Sequence, residues 1–153
     1  MAKVRYLFYI MIVFASCEPD DICGEVNART PQIVFRIYDA SQPTQLKSID
    51  TLRVVGAGQD DGFEFLNVDS IALPLRVNAA KTTFGFTNTL NATDSIHLSY
   101  ETNDLYLNRA CGFRTIFSLD EATTSAPAQW IQSIEILQNE ILIDTLTHVK
   151  IYH

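Results

Sequence analysis

Cys17 is the residue whose type and position point most directly to chemistry. It follows the small residues Ala15 and Ser16, which come after an apolar run over residues 6–14, and two basic side chains precede that run. A basic start, an apolar middle and small residues before a cut are the three parts of a secretory signal peptide. We therefore expect residues 1–16 to be a signal peptide and Cys17 to be the first residue of the mature chain.

The apolar run is too short to anchor the chain as a transmembrane helix. Its nine residues reach about 13 Å at about 1.5 Å each, whereas the hydrocarbon core of a bilayer is about 30 Å thick. The order Phe14-Ala15-Ser16-Cys17 instead resembles the bacterial lipobox, with Phe14 where Leu is usual. This resemblance implies that the Cys17 thiol carries lipid, in which each buried CH₂ contributes about 0.8 kcal/mol of anchoring. An ordinary secreted protein and an uncleaved leader are the alternatives.

Cys23 and Cys111 remain once Cys17 is assigned to lipid, and an even number of thiols in an oxidising compartment predicts a disulfide. The bond would close a loop of about 89 residues, for which the chain-entropy model gives a stabilisation of about 4–5 kcal/mol. It would also fix the N-terminal tether to the folded body. Two free thiols, or a redox or metal role, are the alternatives, but the pair lacks C-x-x-C spacing and clustered histidines.

The three histidines, His97, His148 and His153, do not stand at ligand spacing. His97 lies on the polar face of a predicted strand, His148 starts the last strand, and His153 is the final residue. We interpret each as a surface or hydrogen-bonded histidine.

Asp60, Asp61 and Glu64 follow a glycine-rich turn, and hard cations favour oxygen ligands from such loops. The EF-hand spacing is missing, so a solvated turn is the favoured interpretation. No serine sits in a nucleophile elbow, and no carboxylate pair stands out for glycoside hydrolysis. The sequence therefore predicts no enzyme, no catalytic residue, no metal and no cofactor.

Four aromatic residues, Trp130, Phe84, Phe86 and Tyr100, could form a surface on which a sugar stacks. Aromatics of this kind more often fill the core of a β-sandwich. A ligand-binding residue therefore cannot be assigned, and the ligand stays unknown.

The mature chain would be strongly acidic. Removal of the leader takes two of the eleven basic residues and none of the eighteen acidic ones, which leaves a net charge of −9. This balance argues against nucleic acid, which requires a basic surface, and against peripheral binding to anionic lipid. The membrane is thus a partner through the acyl anchor.

The residues after Cys17 form an acidic tether, predicted over 17–29. The run Glu18-Pro19-Asp20-Asp21 resembles the acidic tract that directs some Bacteroidota-type lipoproteins to the cell surface. A solvated flexible linker is the alternative, as for most charge runs. We expect an outer-membrane location, on either the periplasmic or the cell-surface face.

Residues 30–153 predict a single all-β domain of about eight or nine short strands at intervals of about ten residues, which is typical of a sandwich or barrel. An immunoglobulin-like β-sandwich is favoured over a small β-barrel. Asn103-Asp104 predicts a turn, Pro74 an edge or bulge, and residues 130–144 a hairpin around 138–140. The strand candidates are 31–39, 45–55, 63–66, 70–77, 82–87, 94–101, 105–111 with 113–119, 130–137 with 141–144, and 149–152.

Several short motifs together resemble a family of small Bacteroidota-type envelope lipoproteins of unknown function. The motifs are Cys17 with Asp20-Asp21-Ile22-Cys23, Thr30-Pro31, Phe35 with Tyr38-Asp39, Leu73-Pro74-Leu75, and Ala110-Cys111-Gly112-Phe113. The resemblance implies a lipid anchor and an envelope location, and it implies no activity. We therefore expect a non-enzymatic module that docks on an envelope protein partner, with a small-ligand or glycan binder as the alternative.

Overall fold

The computed structural model describes residues 23–24 and 28–153. Within these residues the chain forms eleven β-strands and no helix, which confirms the all-β prediction. The predicted signal peptide 1–16, the lipidation site Cys17 and most of the tether 17–29 lie outside the described residues, so those assignments stay predictions.

The strands form two sheets that face each other, which confirms the β-sandwich. The strands are β1 Ile33–Asp39, β2 Gln42–Leu46, β3 Ile49–Gly56, β4 Gly62–Val68, β5 Ser70–Leu73, β6 Lys81–Thr87, β7 Thr93–Asn108, β8 Gly112–Thr124, β9 Ser133–Ile136, β10 Glu140–Ile141 and β11 Val149–Tyr152. One sheet has the order β2-β1-β11-β9, with β5 also paired to β1, and the other has the order β10-β8-β7-β6-β3-β4. β1 and β11 run parallel, and the other neighbours run antiparallel.

The core lies between the two inner faces and follows the two-residue period of a strand. Phe84 and Phe86 of β6 are buried, and so are Ile96 and Leu98 of β7, whereas the residues between them are half-buried or exposed. The Phe86 ring meets the Phe35 ring of the opposite sheet edge-on, with centroids 5.5 Å apart. Each such side chain, once fully buried, stabilises the fold by roughly 1.5–3 kcal/mol.

β7 and β8 extend beyond the sandwich as a two-stranded hairpin. Pairing of β6 with β7 begins at Lys81 and Ser99, and the pairing of β10 with β8 reaches only Phe117 and Ser118. Beyond this point β7 and β8 pair with each other alone among the described strands. We call residues 103–116 the arm. Its six β7 residues reach about 17 Å past the sheet at about 3.4 Å per step.

The predicted disulfide is present and lies at the far end of the arm. Cys23 is bonded to Cys111, with Cα atoms 4.8 Å apart, in the turn that joins β7 to β8. Nearer the sandwich, the Thr115 N–H donates to the Thr30 hydroxyl oxygen at 3.3 Å. Cys23 and Thr30 are therefore both attached to the arm.

Candidate functional site

A groove opens at the end of the six-stranded sheet from which the arm extends. It lies between the β3–β4 loop, the segment after β5 and the first residues of β6, and its volume is about 370 Å³. Polar, charged and aromatic side chains share the lining, including Gln59, Asp61, Phe63, Arg76, Lys81 and Thr83. The groove is thus a concave site of mixed chemical character in the described part of the chain.

Glycines give the β3–β4 loop its shape at one wall of the groove. Gly58 has φ of 80°, which an L side chain rarely adopts. A Cβ atom at Gly62 would clash with the carbonyl oxygen of Val54. The Ala57 N–H donates to the Thr83 carbonyl at 2.9 Å, so the loop is also fixed to β6. The wall is therefore held by backbone geometry and does not depend on the surface side chains.

A buried hydroxyl network holds the floor of the groove. Tyr100 is 1% exposed, and its hydroxyl donates to the Arg76 carbonyl at 2.9 Å. The Thr82 hydroxyl lies 2.6 Å from the Tyr100 oxygen and accepts from the Arg76 N–H at 3.4 Å. The only consistent assignment has Thr82 donating to Tyr100, so both hydroxyls are satisfied. The network fixes the backbone at Arg76 and so positions the side chain that lines the groove.

The groove carries a positive pair within an acidic protein. Arg76 and Lys81 are both exposed and line it, and Asp61 is the carboxylate on the opposite loop. The full chain has eleven basic residues against eighteen acidic ones, so two cations in one groove depart from the overall charge balance. This arrangement favours an anionic group, such as a carboxylate, between the two cations.

β4 borders the groove and forms the edge of the six-stranded sheet. Phe63 and Phe65 pair with Val54 and Leu52 of β3, and their rings stack with centroids 6.2 Å apart. Phe63 is 46% exposed, and Leu66 on the other face is 69% exposed. The strand therefore combines exposed apolar side chains with an outer backbone edge that no described strand pairs.

The other sheet edges are blunted in the ways by which proteins avoid unwanted pairing. β10 has two residues and β9 has four, and β2 contains Pro43, which cannot donate to a neighbouring strand. β4 has seven residues and no proline. β4 is therefore an open edge, and it is the one that borders the groove; the outer edges of β7 and β8 in the arm are also unpaired among the described strands.

Comparison with known proteins adds one finding. The model of DUF6452, described as a family of unknown function, matches residues 51–153. The chain belongs to the DUF6452 family. The matched residues begin in β3 and include the groove, β4 and the arm. No curated protein and no solved structure matches the chain, and the described residues contain no helix long and apolar enough to cross a membrane.

The three histidines of this DUF6452 member have different surroundings. His97 is exposed, and its Nδ1 lies 3.0 Å from the Thr83 hydroxyl. The His153 ring packs edge-on against the Trp130 ring with centroids 5.4 Å apart. Burial lowers the pKa of His153, helped by the positive charge of Lys47. Neither histidine lines the groove.

His148 is the histidine that the sequence interpretation describes least well, because it is completely buried. The Val34 N–H donates to its Nδ1 at 3.0 Å, and its own backbone N–H donates to the Val34 carbonyl at 3.0 Å. Nδ1 is thus an acceptor, which places the proton of the neutral ring on Nε2. Burial lowers the pKa of His148 against a weaker opposing effect of Asp144. His148 therefore joins β1 to the start of β11 as a neutral side chain.

The acidic loop residues do not form a metal site in this structure. Asp60 and Asp61 are exposed in the β3–β4 turn, whereas Glu64 lies on β4 and opposes Arg53 of β3. Over residues 23–24 and 28–153, no group of three or more histidine, cysteine, aspartate or glutamate side chains is placed to hold a metal ion.

The aromatic residues considered for sugar stacking belong to the core. Phe84, Phe86 and Tyr100 are 4%, 0% and 1% exposed. Trp130 is half-buried against the core, and its indole N–H donates to the Phe86 carbonyl at 3.1 Å. These four residues therefore provide no exposed stacking platform, and the aromatic residues that line the groove are the exposed Phe63 and the buried Phe84.

Asp94 is a buried charged residue that the sequence interpretation missed. It is 1% exposed, and its carboxylate accepts backbone N–H groups from Gln129 at 2.6 Å, Trp130 at 2.8 Å and Ile131 at 2.8 Å. Burial alone would raise the pKa of Asp94, but the three donors outweigh it and leave that pKa lowered. Asp94 therefore holds the loop between β8 and β9 against the start of β7.

Proposed function

We propose that this chain is a non-enzymatic docking module, held at a bacterial outer membrane by lipid on Cys17, which receives an extended segment of an envelope protein along β4. The open edge of β4 beside the groove carries the proposal. The leader and Cys17 in the sequence support the anchor, and the disulfide supports an oxidising compartment.

A partner strand would bind β4 through backbone hydrogen bonds, which supply affinity, while alternate side chains supply specificity. Its inward side chains would contact Phe63 and Phe65, whose stacked rings extend the apolar inner face of the sheet. At the groove end of the strand, Arg76 and Lys81 would pair with a carboxylate. The proposed partner segment is therefore extended, apolar at alternate positions and acidic at one end.

Recovery of a partner followed by mapping of its binding site tests the proposal. The tagged full-length chain is purified from gently solubilised membranes, alongside Phe63→Asp and Arg76→Glu. Leu90→Asp is the matched control, because Leu90 is 85% exposed in the turn at the opposite end of β6 and β7. We expect both groove variants to lose a protein that the wild type and Leu90→Asp retain.

The location of the bound partner decides between docking and adventitious capture. On addition of the recovered partner, the backbone amides of β4 should exchange hydrogen more slowly, because a second strand would cover them. Unchanged exchange at β4, or failure to recover a specific partner in several detergents, would reject docking at this edge.

A small anionic ligand is the second candidate, and the groove volume favours it. A volume of about 370 Å³ falls within the range of about 300–1,000 Å³ that is typical of small-molecule sites. Titration of the purified chain with acidic sugars and dicarboxylates, monitored by the amide signals of residues 56–62 and 81–84, separates the two candidates. Saturable shifts that vanish in Arg76→Glu, without protection of β4, would replace the docking proposal with ligand binding.

The anchor has its own test. Mass spectrometry of the membrane-extracted protein should find Cys17 as the first residue and acylated, and Cys17→Ala should be released from the membrane fraction or mislocalised. A mature chain that starts elsewhere, or membrane retention of Cys17→Ala, would refute the lipid anchor. Proteolysis of intact cells then assigns the face of the outer membrane.

A further inference from the structure

The far end of the arm exposes apolar side chains on both of its faces. We call Leu105, Tyr106 and Phe113 the arm tip; they are 41%, 52% and 67% exposed, with Tyr106 and Phe113 on one face of the hairpin and Leu105 on the other. The rings of Tyr106 and Phe113 contact each other across the two strands, with centroids 5.1 Å apart. Because no other described strand pairs with this part of the hairpin, the sandwich does not cover these side chains.

The sequence around the arm tip carries both arginine and acidic side chains. Residues 105–116 contain Arg109 and Arg114, whereas Glu18, Asp20 and Asp21 precede Cys23, which the disulfide joins to Cys111. Arg109 is exposed in the turn beside the disulfide. Exposed aromatic rings beside a basic residue of the turn are suited to the headgroup region of a membrane, where tyrosine rings and basic side chains are favoured.

The disulfide limits how far the arm tip can be from a lipid on Cys17. Six Cα steps from Cys17 to Cys23 span at most about 21 Å at about 3.5 Å per residue, and Cys111 lies directly across the disulfide. Without the bond, thirteen steps from Cys17 to Thr30 would allow about 45 Å. The cross-link thus halves the reach of the tether and holds the end of the arm close to the acyl chains.

We propose that the arm tip rests in the headgroup region of the membrane that holds the acyl chains, so that the arm stands the sandwich off the lipid surface. This inference rests on the proposed acylation of Cys17. The acyl chains supply the affinity, and the tip, which is too small to bind lipid strongly alone, sets the orientation because the tether keeps its local concentration at the membrane high.

Depth-dependent fluorescence quenching tests this orientation. The acylated full-length chain is reconstituted into vesicles of phosphatidylethanolamine and phosphatidylglycerol, with or without bromine on the acyl chains. Phe113→Trp reports on the arm tip. Leu90→Trp is the matched control, because β7 places that turn about 50 Å from the tip at about 3.4 Å per residue. The native Trp130, whose backbone N–H donates to Asp94 at the start of β7, is present in both variants and gives both the same background fluorescence.

Brominated lipid should remove roughly half of the added emission of Phe113→Trp, as for an indole at the interface, and leave Leu90→Trp unquenched. Adding Cys23→Ser and Cys111→Ser to Phe113→Trp should lower the quenching, because the tether is then about twice as long. Equal quenching at both positions, or none at Phe113→Trp in a protein shown by mass spectrometry to be acylated, overturns the arm orientation and leaves the anchor intact. Absence of acylation instead refutes the proposed anchor.

Discussion

Replacing Asp94 with alanine provides a direct test of how the loop between β8 and β9 is held. The carboxylate accepts three consecutive backbone N–H groups, from Gln129 to Ile131, at 2.6–2.8 Å. Truncation to alanine removes every acceptor at once. Water can reach the exposed Gln129, but Ile131 is 1% exposed and its N–H would stay unpaired.

The structure sets the size of the effect. Each hydrogen bond to a charged group contributes about 1.5–3 kcal/mol, and a buried unpaired donor costs about 1–3 kcal/mol. Because at least one of the three donors can be hydrated after the change, we expect Asp94→Ala to lower the free energy of unfolding by about 3–5 kcal/mol. Asp94→Asn keeps one carbonyl oxygen and should cost about half as much.

Urea unfolding monitored by Trp130 fluorescence measures this loss, since the Trp130 N–H is one of the donors. Asp60→Ala is the matched control, because Asp60 is exposed in the β3–β4 turn and should change stability by at most about 0.5 kcal/mol. The lowered pKa of Asp94 adds a pH signature: its contribution is present above the ordinary value of 3.8 and is lost as pH falls through the folded pKa. A loss below 1 kcal/mol for Asp94→Ala would refute the assigned hydrogen bonds.

Three further predictions concern other buried groups. Because burial lowers the pKa of His148 below 6.5, the free energy of unfolding measured by urea titration should decrease as pH falls from 7 to 5. His148→Asn keeps an acceptor for the Val34 N–H and should reduce this pH dependence, and an unchanged pH dependence would contradict the buried neutral ring. Tyr100→Phe should lower the free energy of unfolding by about 1–3 kcal/mol, because the Thr82 hydroxyl and the Arg76 carbonyl both lose the Tyr100 hydroxyl as a partner. Tyr106→Phe, at an exposed position, should have almost no effect, and equal effects of the two changes would disprove the network. Reduction of the Cys23–Cys111 bond should cost up to about 4–5 kcal/mol in chemical denaturation, and a melting curve insensitive to reductant would show that the bond does not form.

Local alternation in the sequence predicted much of the fold. Ile96, Leu98 and Tyr100 follow a two-residue period and are all buried in β7. The same period places Asp94 on that face, and a carboxylate on a buried face requires donors. Asp94 was therefore predictable as a structural site, whereas its partners in the loop between β8 and β9 were not, because their approach depends on long-range folding.

Two local predictions were wrong for the same physical reason. Asn103-Asp104 was expected to turn, yet β7 continues through both, and the Thr115 hydroxyl donates to the Asp104 carboxylate across the arm at 2.8 Å. Residues 130–144 were expected to form one hairpin, yet β9 pairs with β11 and β10 pairs with β8. Turn propensity is a local signal, and pairing with a distant strand outweighs it.

The groove was not predictable from any one segment. Arg76 follows β5, Lys81 begins β6 and Phe63 belongs to β4, and each is an ordinary exposed residue in its own sequence context. Their proximity depends on the order of the strands in the sheet and on the buried contacts of Tyr100. The disulfide was predictable by counting thiols, but its position at the end of an arm required the structure.

The groove and the arm extend from the same end of the six-stranded sheet, and this relates the two proposals. Lys81 of the groove pairs with Ser99, seven residues before Tyr106 of the arm tip, so the groove lies about 24 Å from the tip at about 3.4 Å per residue. If the tip contacts lipid, β4 and its groove face the membrane across that gap. The tether favours this orientation, because the disulfide keeps the tip within about 21 Å of a lipid on Cys17. A partner strand must then come from a protein that exposes an extended acidic segment close to the membrane surface, which makes an integral or lipid-anchored envelope protein the partner that the geometry favours.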